Sequence, residues 1–335
     1  MLAEMLVRIP KLDPSLDVSY LSYEELQTPD AIARCLETDQ LPLLGVVAVN
    51  LQIEVQAEVS LALAEHCARQ SIPLFNYVQD YWPHHFEPMQ QLTETYGVRL
   101  LGASPFILSS LTKDHFEAAY LPMGAQLPPK VKIDSMPFPK VIGSVGRLVR
   151  RKRFPDIVRA FCEGGLDQTA QLRLTLIRSH VFGSEQDEQQ LHLIRQEMTR
   201  PGVNPNAIHC SMTPCVPPDY ASLAIYVYAS DYEGFSMTPY EAAYAGCPPI
   251  VSDIPPHRLM AETLFHDQAE AFLYPVCNTD ALAERLRDEV ETGWRWRYVK
   301  EHQEEIRDQI ERRFSLQTTA RAFVDLGHSL TPMKP

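Results

Sequence analysis

The chain has 335 residues, a length that predicts about two domains, and at that size folding buries on the order of 75% of the unfolded surface, so no disulfide or metal staple is required. With 30 Lys and Arg against 43 Asp and Glu the net charge is −13, which argues against nucleic acid as the main partner, because phosphate backbones are bound by a basic footprint. Seven cysteines occur without a CxxC pair, Cys210 and Cys215 being the nearest, a spacing that speaks for reduced thiols in a cytoplasmic protein rather than a disulfide framework.

The opening MLAEMLVRIP is interrupted by Glu4 and lacks the apolar stretch of a signal peptide. The longest apolar run, Leu41 to Val49, is too short to span a bilayer, so a soluble chain with at most peripheral membrane contact is expected. Val18 to Leu21 predicts a short strand, and Ser22 to Glu37 has mixed helical character. Leu43 to Val49 reads as a buried strand. Val55 to Gln70 predicts a helix, since Val59, Leu61, Ala62, Leu63 and Cys67 recur at helical spacing. Ile72 to Val78 is a strand that ends in Gln79-Asp80-Tyr81-Trp82-Pro83-His84-His85. Tyr96 to Leu101 leads to Ser104-Pro105 and a helix to about Lys113. This β-α-β alternation predicts a parallel sheet with helices on both faces.

Residues 122–140 hold five prolines and read as an interdomain linker. Lys140 to Gly146 opens a second domain as a strand, followed by the basic run Arg147-Leu148-Val149-Arg150-Arg151-Lys152-Arg153. Leu172 to Ile177 and Ala207 to Met212 predict strands, and Gly183 to Thr199 an amphipathic helix. His180, in the loop between, reads as a surface histidine or a wall of a base pocket. Pro218 to Ser222 reads as a helical turn, Ala271 to Val276 as a strand and Asp280 to Glu291 as a helix. Trp294 to Arg313 and Ser315 to Leu326 predict terminal helices.

The stretch 225–253, IYVYASDYEGFSMTPYEAAYAGCPPIVSD, carries the chemistry. Ile225 to Tyr228 is β-branched and aromatic, as a buried strand is. Thr238, Pro239 and Glu241 predict a helix start with a capping box, Gly246 ends the helix, and Pro249 to Val251 begins the next strand. A loop from a strand end to a helix N-terminus is where open α/β sheets bind anions. Carboxylates beside a phosphate accept hydroxyls rather than grip the phosphate, so Glu233 and Glu241 flanking this loop suggest a phosphate bordered by sugars.

Glu233-Gly234-Phe235, Glu241-Ala242, Ala245-Gly246, Pro249-Ile250 and Ser252-Asp253 together resemble the E-x7-E signature of retaining GT-B glycosyltransferases of the family 4-like group, with Ser236 where that group usually has glycine. Arg147 and Lys152 resemble its Gly-Arg-x4-Lys pattern, with Gly146 before them and Arg153 in place of the usual following glycine. Gln79-Asp80 stands where many members carry His-Asp. Arg313-Phe314-Ser315 resembles the segment whose helix crosses back to the first domain. The resemblance implies two Rossmann-like domains facing a cleft: a short N-terminal acceptor-side domain over 1–135, a nucleotide-sugar-binding domain over 136–305, and a returning helix over 306–335. It implies transfer of a sugar, with retention and without a metal, from a UDP- or GDP-linked donor to a hydroxyl of a sugar, glycan or glycolipid. No separate cofactor is implied. Glu241 would hold the ribose hydroxyls and Glu233 a donor-sugar hydroxyl. The amides around Phe235, Ser236, Met237 and Thr238, with Gly234, would face the diphosphate. Arg147 and Lys152 would stabilise the departing diphosphate, while Arg150, Arg151 and Arg153 read as solvated. Asp80 would be polar support or a base. One departure is the absence of a glycine-rich loop after the first strand, the first glycine being Gly45. That departure keeps two other readings open: a non-catalytic nucleotide-binding partner subunit, and a nucleotide-sugar epimerase or hydrolase.

Overall fold

A computed structural model describes residues 28–36, 45–51, 53–125, 127–130, 136–137, 140–178, 183–212 and 219–330. The expected strand at Val18 to Leu21, much of the linker and His180 lie outside the described residues. The chain divides into two compact units, 1–125 with 313–335, and 126–312. These divisions fall ten residues before and seven residues after the expected 135 and 305.

In the first unit, helix α1 (Pro29–Leu36) precedes strand β1 (Val46–Val49), helix α2 (Ile53–Arg69) and strand β2 (Leu74–Val78). Helix α3 (Phe86–Tyr96), strand β3 (Arg99–Gly102), helix α4 (Pro105–Lys113) and strand β4 (Ala118–Tyr120) follow. The four strands are parallel in the order β1-β2-β3-β4. Helix α3 and strand β4 are absent from the expected elements. The α3 segment, FEPMQQLTETY, buries only Met89 and Leu92, too few apolar positions to show a helical stripe. Helix α4 begins as expected: Ser104 caps it by accepting from Ile107 N at 3.1 Å, and Pro105 takes the first turn, where a missing N–H costs nothing. The chain returns to this unit as helix α12 (Leu316–Leu330). Ala125 N donates to Phe314 O at 2.6 Å, and Tyr77 packs edge-on against Phe323. A Cβ at Gly124 would stand 2.5 Å from Ser315 O, so the returning segment fits only against glycine.

The second unit holds strands β5 (Val141–Arg147), β6 (Gln171–Ile177), β7 (Ile208–Met212), β8 (Ile225–Tyr228), β9 (Pro249–Ser252) and β10 (Leu273–Tyr274). All are parallel, in the order β10-β9-β8-β5-β6-β7. Helices α5 (Phe154–Glu163), α6 (Gly183–Met198), α7 (Met237–Ala245), α8 (Pro255–Phe265), α9 (Thr279–Thr292), α10 (Trp294–Glu301) and α11 (Gln303–Phe314) connect or flank them. Helices α5 and α8 are further elements that the sequence patterning does not reveal. Strand β5 runs down the middle because Ile142, Leu172, Leu174, Leu176, Ile225 and Val227 are wholly buried around it. Helix α5 covers that face with Phe154, Ile157, Val158 and Phe161, each at most 1% exposed. Truncating one of these to alanine removes about 2–5 kcal/mol.

The strand order reverses direction between β5 and β8, which are neighbours though β6 and β7 intervene in sequence. Gly143 lets the chain close there, since a Cβ on it would stand 2.4 Å from the Leu223 side chain. Such a switch point opens a crevice at the carboxyl ends of the two strands. Both units are thus α/β with parallel sheets, as the GT-B resemblance implies. Among the described residues no helix is long and apolar enough to cross a membrane.

Candidate active site

The loops leaving β5 and β8 meet at this switch point. Strand β5 ends at half-buried Arg147, and a single tight turn, Arg150–Lys152, follows. Lys152 is only 7% exposed. Its Nζ donates to Glu233 Oε1 at 2.6 Å, across 81 residues of sequence, and to the Tyr228 hydroxyl. Tyr228 OH also donates to Glu233 Oε1, at 3.3 Å. Arg151 Nη1 stands 3.6 Å from Glu233 Oε2 and donates to Tyr232 O at 3.2 Å. The backbone repeats the lacing, since Asp231 N donates to Arg151 O at 3.0 Å. Arg151, which reads as a solvated residue from sequence, is therefore a partner of Glu233.

Arg153 explains the glycine usual at its position in the resembled pattern. Its backbone lies in the left-handed region at φ 51° and ψ 37°, where a side chain costs about 1 kcal/mol. Its guanidinium is held by Asp156 at 2.5 Å and lies 3.7 Å from Asp231.

Burial alone would push the Glu233 carboxyl upward, but Lys152 and Arg151 overcome it and hold the group below the ordinary glutamate range. Glu233 is thus an ionised carboxylate in a nearly dry place, 4% exposed. Burial lowers Lys152, with Glu233 opposing that shift and the charges of Arg151 and Arg147 adding to it. The charge of Arg147 is therefore felt at Lys152. Gly146 lies against the Lys152 stem, a Cβ there standing 3.7 Å from Lys152 Cδ.

The helix after Glu233 starts earlier than expected. Ser236 is the N-cap residue and Met237 the first helical residue, so Thr238 sits inside the first turn and the expected capping box does not form. The physical reason is the register: with Ser236 as cap, the third position is Pro239, which has no N–H to be capped. Ser236 makes no side-chain cap bond. Gly246 ends the helix at φ 91°, as expected of a left-handed C-cap. Gly234 is buried, and Phe235 stacks on Tyr240 with centroids 5.3 Å apart.

Glu241, freed from capping, accepts from Tyr220 OH at 2.7 Å through Oε2. Burial raises its carboxyl to about 7, with the Tyr220 bond opposing. The Ser236 hydroxyl instead lies 2.7 Å from His257 Nε2. His257 Nδ1 lies 2.8 Å from Ser252 O, and Ser252 Oγ donates to Ser230 O. His257 is wholly buried and its value falls to about 4, mainly through desolvation, so the ring is neutral near neutral pH.

Ten of the eleven expected residues lie in this unit: Gly146, Arg147, Lys152, Glu233, Gly234, Phe235, Ser236, Met237, Thr238 and Glu241. Asp80 lies in the other unit, in the loop after β2. That loop is fixed by Asn50, whose Oδ1 accepts from Gln79 N at 2.7 Å and Asp80 N at 3.4 Å. Asn50 directly follows β1 at φ 49°, in the left-handed region. Residues that the sequence did not offer are Tyr228, Tyr220, Arg151 and His257. Only His257 leaves a trace in sequence, as a polar residue directly after Ser252-Asp253-Ile254-Pro255-Pro256 at a strand-to-helix turn. Among the described residues no group of three or more His, Cys, Asp or Glu side chains is placed to hold a metal ion.

Residues 139–291 match the family model described as glycosyl transferases group 1. No curated protein matches the chain. A TarM variant from S. aureus, in complex with fondaparinux, alpha-GlcNAc-glycerol and UDP, is similar at TM-score 0.62 and 12% identity, over 80% of this chain and 53% of that one. Anabaena HepE in complex with UDP and glucose is similar at TM-score 0.68 and 13% identity, over 90% and 82%. Pneumococcal O-GlcNAc transferase GtfA in complex with UDP and GlcNAc is similar at TM-score 0.66 and 13% identity, over 90% and 59%. The chain spans little more than half the length of the first of these. Its fold is that of these GT-B glycosyltransferase structures, and the match to the group 1 glycosyl transferase model covers the greater part of the second unit.

Proposed function

We propose that this chain moves a sugar from a nucleoside-diphosphate sugar to a hydroxyl acceptor, with retention and without a metal. The observation that carries the reading is the buried Lys152–Glu233 pair beside the uncapped start of α7 at the sheet's switch point. Fixed cations, free backbone N–H groups and an ionised carboxylate in one dry place suit a diphosphate joined to a sugar.

In this reading the diphosphate lies against the N–H groups at Ser236, Met237 and Thr238, near Arg147 and Lys152. Glu241 accepts the ribose hydroxyls and Glu233 a hydroxyl of the donor sugar. Lys152 has three N–H donors, of which Glu233 and Tyr228 engage two, leaving one for a phosphate oxygen. The bond from the anomeric carbon to the phosphate oxygen breaks, and its electron pair stays on the diphosphate. Arg147, Lys152 and the helix end stabilise that growing charge, each good donor lowering the barrier by about 3–4 kcal/mol. The acceptor oxygen bonds to the anomeric carbon on the face the phosphate leaves, and its proton passes to the leaving phosphate oxygen. These cations do what a bound ion does in other transferases, so chelators leave the rate unchanged.

The test is incubation with UDP- and GDP-linked sugars and hydroxyl acceptors, with the product anomer read by NMR and EDTA included in a parallel arm. An α-linked product from an α-linked donor, insensitive to EDTA, is expected. Failure to bind any nucleoside diphosphate by calorimetry refutes the donor site. An inverted product refutes the mechanism alone.

A further inference from the structure

His257 is wholly buried, contacts no atom the proposed reaction changes, and still has both ring nitrogens engaged. Its tautomer follows from its neighbours. The Ser252 hydroxyl spends its proton on Ser230 O, and the Ser252 carbonyl only accepts. Nδ1 must therefore carry the ring proton and donate it to Ser252 O. That leaves a lone pair on Nε2, so the Ser236 hydroxyl donates to His257 at 2.7 Å.

This bond changes what Ser236 does at the start of α7. A serine at an N-cap normally turns its oxygen onto an N–H of the first turn. Here Ser236 is 2% exposed, faces the core, and caps nothing. Pro239 assists, because it removes the third-position N–H that a serine oxygen would otherwise take.

We propose that His257 is a positioning residue of the donor site: by drawing the Ser236 hydroxyl inward it keeps the opening N–H groups of α7 free for the diphosphate. The inference rests on the donor site proposed above. It accounts for serine at a place where a glycine, without a hydroxyl, could not compete for those groups at all. In this chain the competing hydroxyl is present and is held away by the imidazole.

The probes are UDP and GDP, titrated calorimetrically into the full chain, with thermal melts alongside. His257→Phe keeps the ring volume and releases Ser236, which then caps Thr238 N. Affinity is expected to fall about fivefold, the factor a serine cap contributes to a helix end. Adding Ser236→Ala to His257→Phe removes the competing oxygen, and most of the loss is expected to return. A His257→Phe chain that binds as the wild type does overturns the inference. So does a loss that Ser236→Ala fails to restore, since it makes His257 a packing residue only. Wild-type protein that binds neither nucleotide overturns the donor site itself and the inference with it. A measurement independent of the variants is ¹⁵N NMR of His257 in the wild type. A proton on Nδ1 is expected, and one on Nε2 overturns the inference.

Discussion

Glu241 gives the proposed donor site a dependence on pH that few carboxylates would show. Burial holds its carboxyl at about 7 in the ligand-free protein, well above the ordinary glutamate range. A raised acid is a protonated one, so near neutral pH about half the molecules lack the carboxylate that accepts ribose hydroxyls. Nucleotide binding then releases a proton, and affinity rises with pH. If the carboxyl titrates in its ordinary range once the hydroxyls are bound, the competent fraction climbs from about one in eleven near pH 6 to about ten in eleven near pH 8. That is about tenfold in affinity, or about 1.4 kcal/mol. The assay is calorimetry with a nucleotide sugar, whose diphosphate ester has no group titrating in this window. Two buffers of unlike ionisation enthalpy report the proton directly. Glu241→Gln, which cannot ionise, is expected to bind weakly and almost independently of pH. An equal pH dependence in wild type and Glu241→Gln would refute the reasoning. The linkage runs the opposite way for folding: stability drawn from the protonated Glu241 is full below the ordinary glutamate range and is lost as pH rises through about 7.

Lys152→Ala is expected to weaken nucleoside-diphosphate binding and also to destabilise the fold by about 3–5 kcal/mol, because it leaves the Glu233 carboxylate buried and unpaired. Combining it with Glu233→Gln recovers most of that stability without recovering binding, as thermal melts and calorimetry would show; a single variant that melts like the wild type refutes the pairing. Glu233→Gln alone is expected to lower kcat more than it raises the nucleotide Kd, and full turnover in that variant removes Glu233 from the site. Far from the site, Arg295 is 1% exposed and donates to Asp288 at 2.7 Å and to Ala271 O at 2.7 Å. Arg295→Ala is expected to cost about 3–5 kcal/mol in denaturant unfolding, by removing the guanidinium that stands 3.5 Å from the wholly buried Glu289 carboxylate, while a loss below about 1 kcal/mol contradicts that account.

The segment from β8 to β9 was legible because its cues are local. An apolar β-branched strand, a glycine at the helix end and a proline-led strand each act over a few residues. The start of α7 lies two residues before the one that the Thr238-Pro239 pair suggests, because a missing N–H costs nothing anywhere in the first turn and Pro239 fits its third position as well as its first. Lys152 and Glu233 could be named from the motifs they resemble, but not their pairing, which closes a loop of 81 residues. Arg151 looked solvated because one basic residue in a run is like the next in sequence; only the backbone bond from Asp231 turns this one toward Glu233. Helix α5 escaped notice since its first residues, Phe154 and Pro155, follow a cluster of charge and its interior is β-branched. Its stability comes from four side chains buried against the sheet, a tertiary effect that outweighs propensity.

Because Ala125 is bonded to Phe314 and helix α12 packs within the first unit, that unit is discontinuous in sequence, with 187 residues of the second unit threaded between its two parts. A ribosome therefore emits the whole second unit before the first has its last helix. The usual order of assembly, amino-terminal part first, cannot run to completion here until the second unit has been made. Whatever holds the early strands β1 to β4 in solution meanwhile must do so without Phe323 against Tyr77. Cleaving the chain just after Arg312 should accordingly spare the nucleotide-facing fold and strip the other of its closing piece.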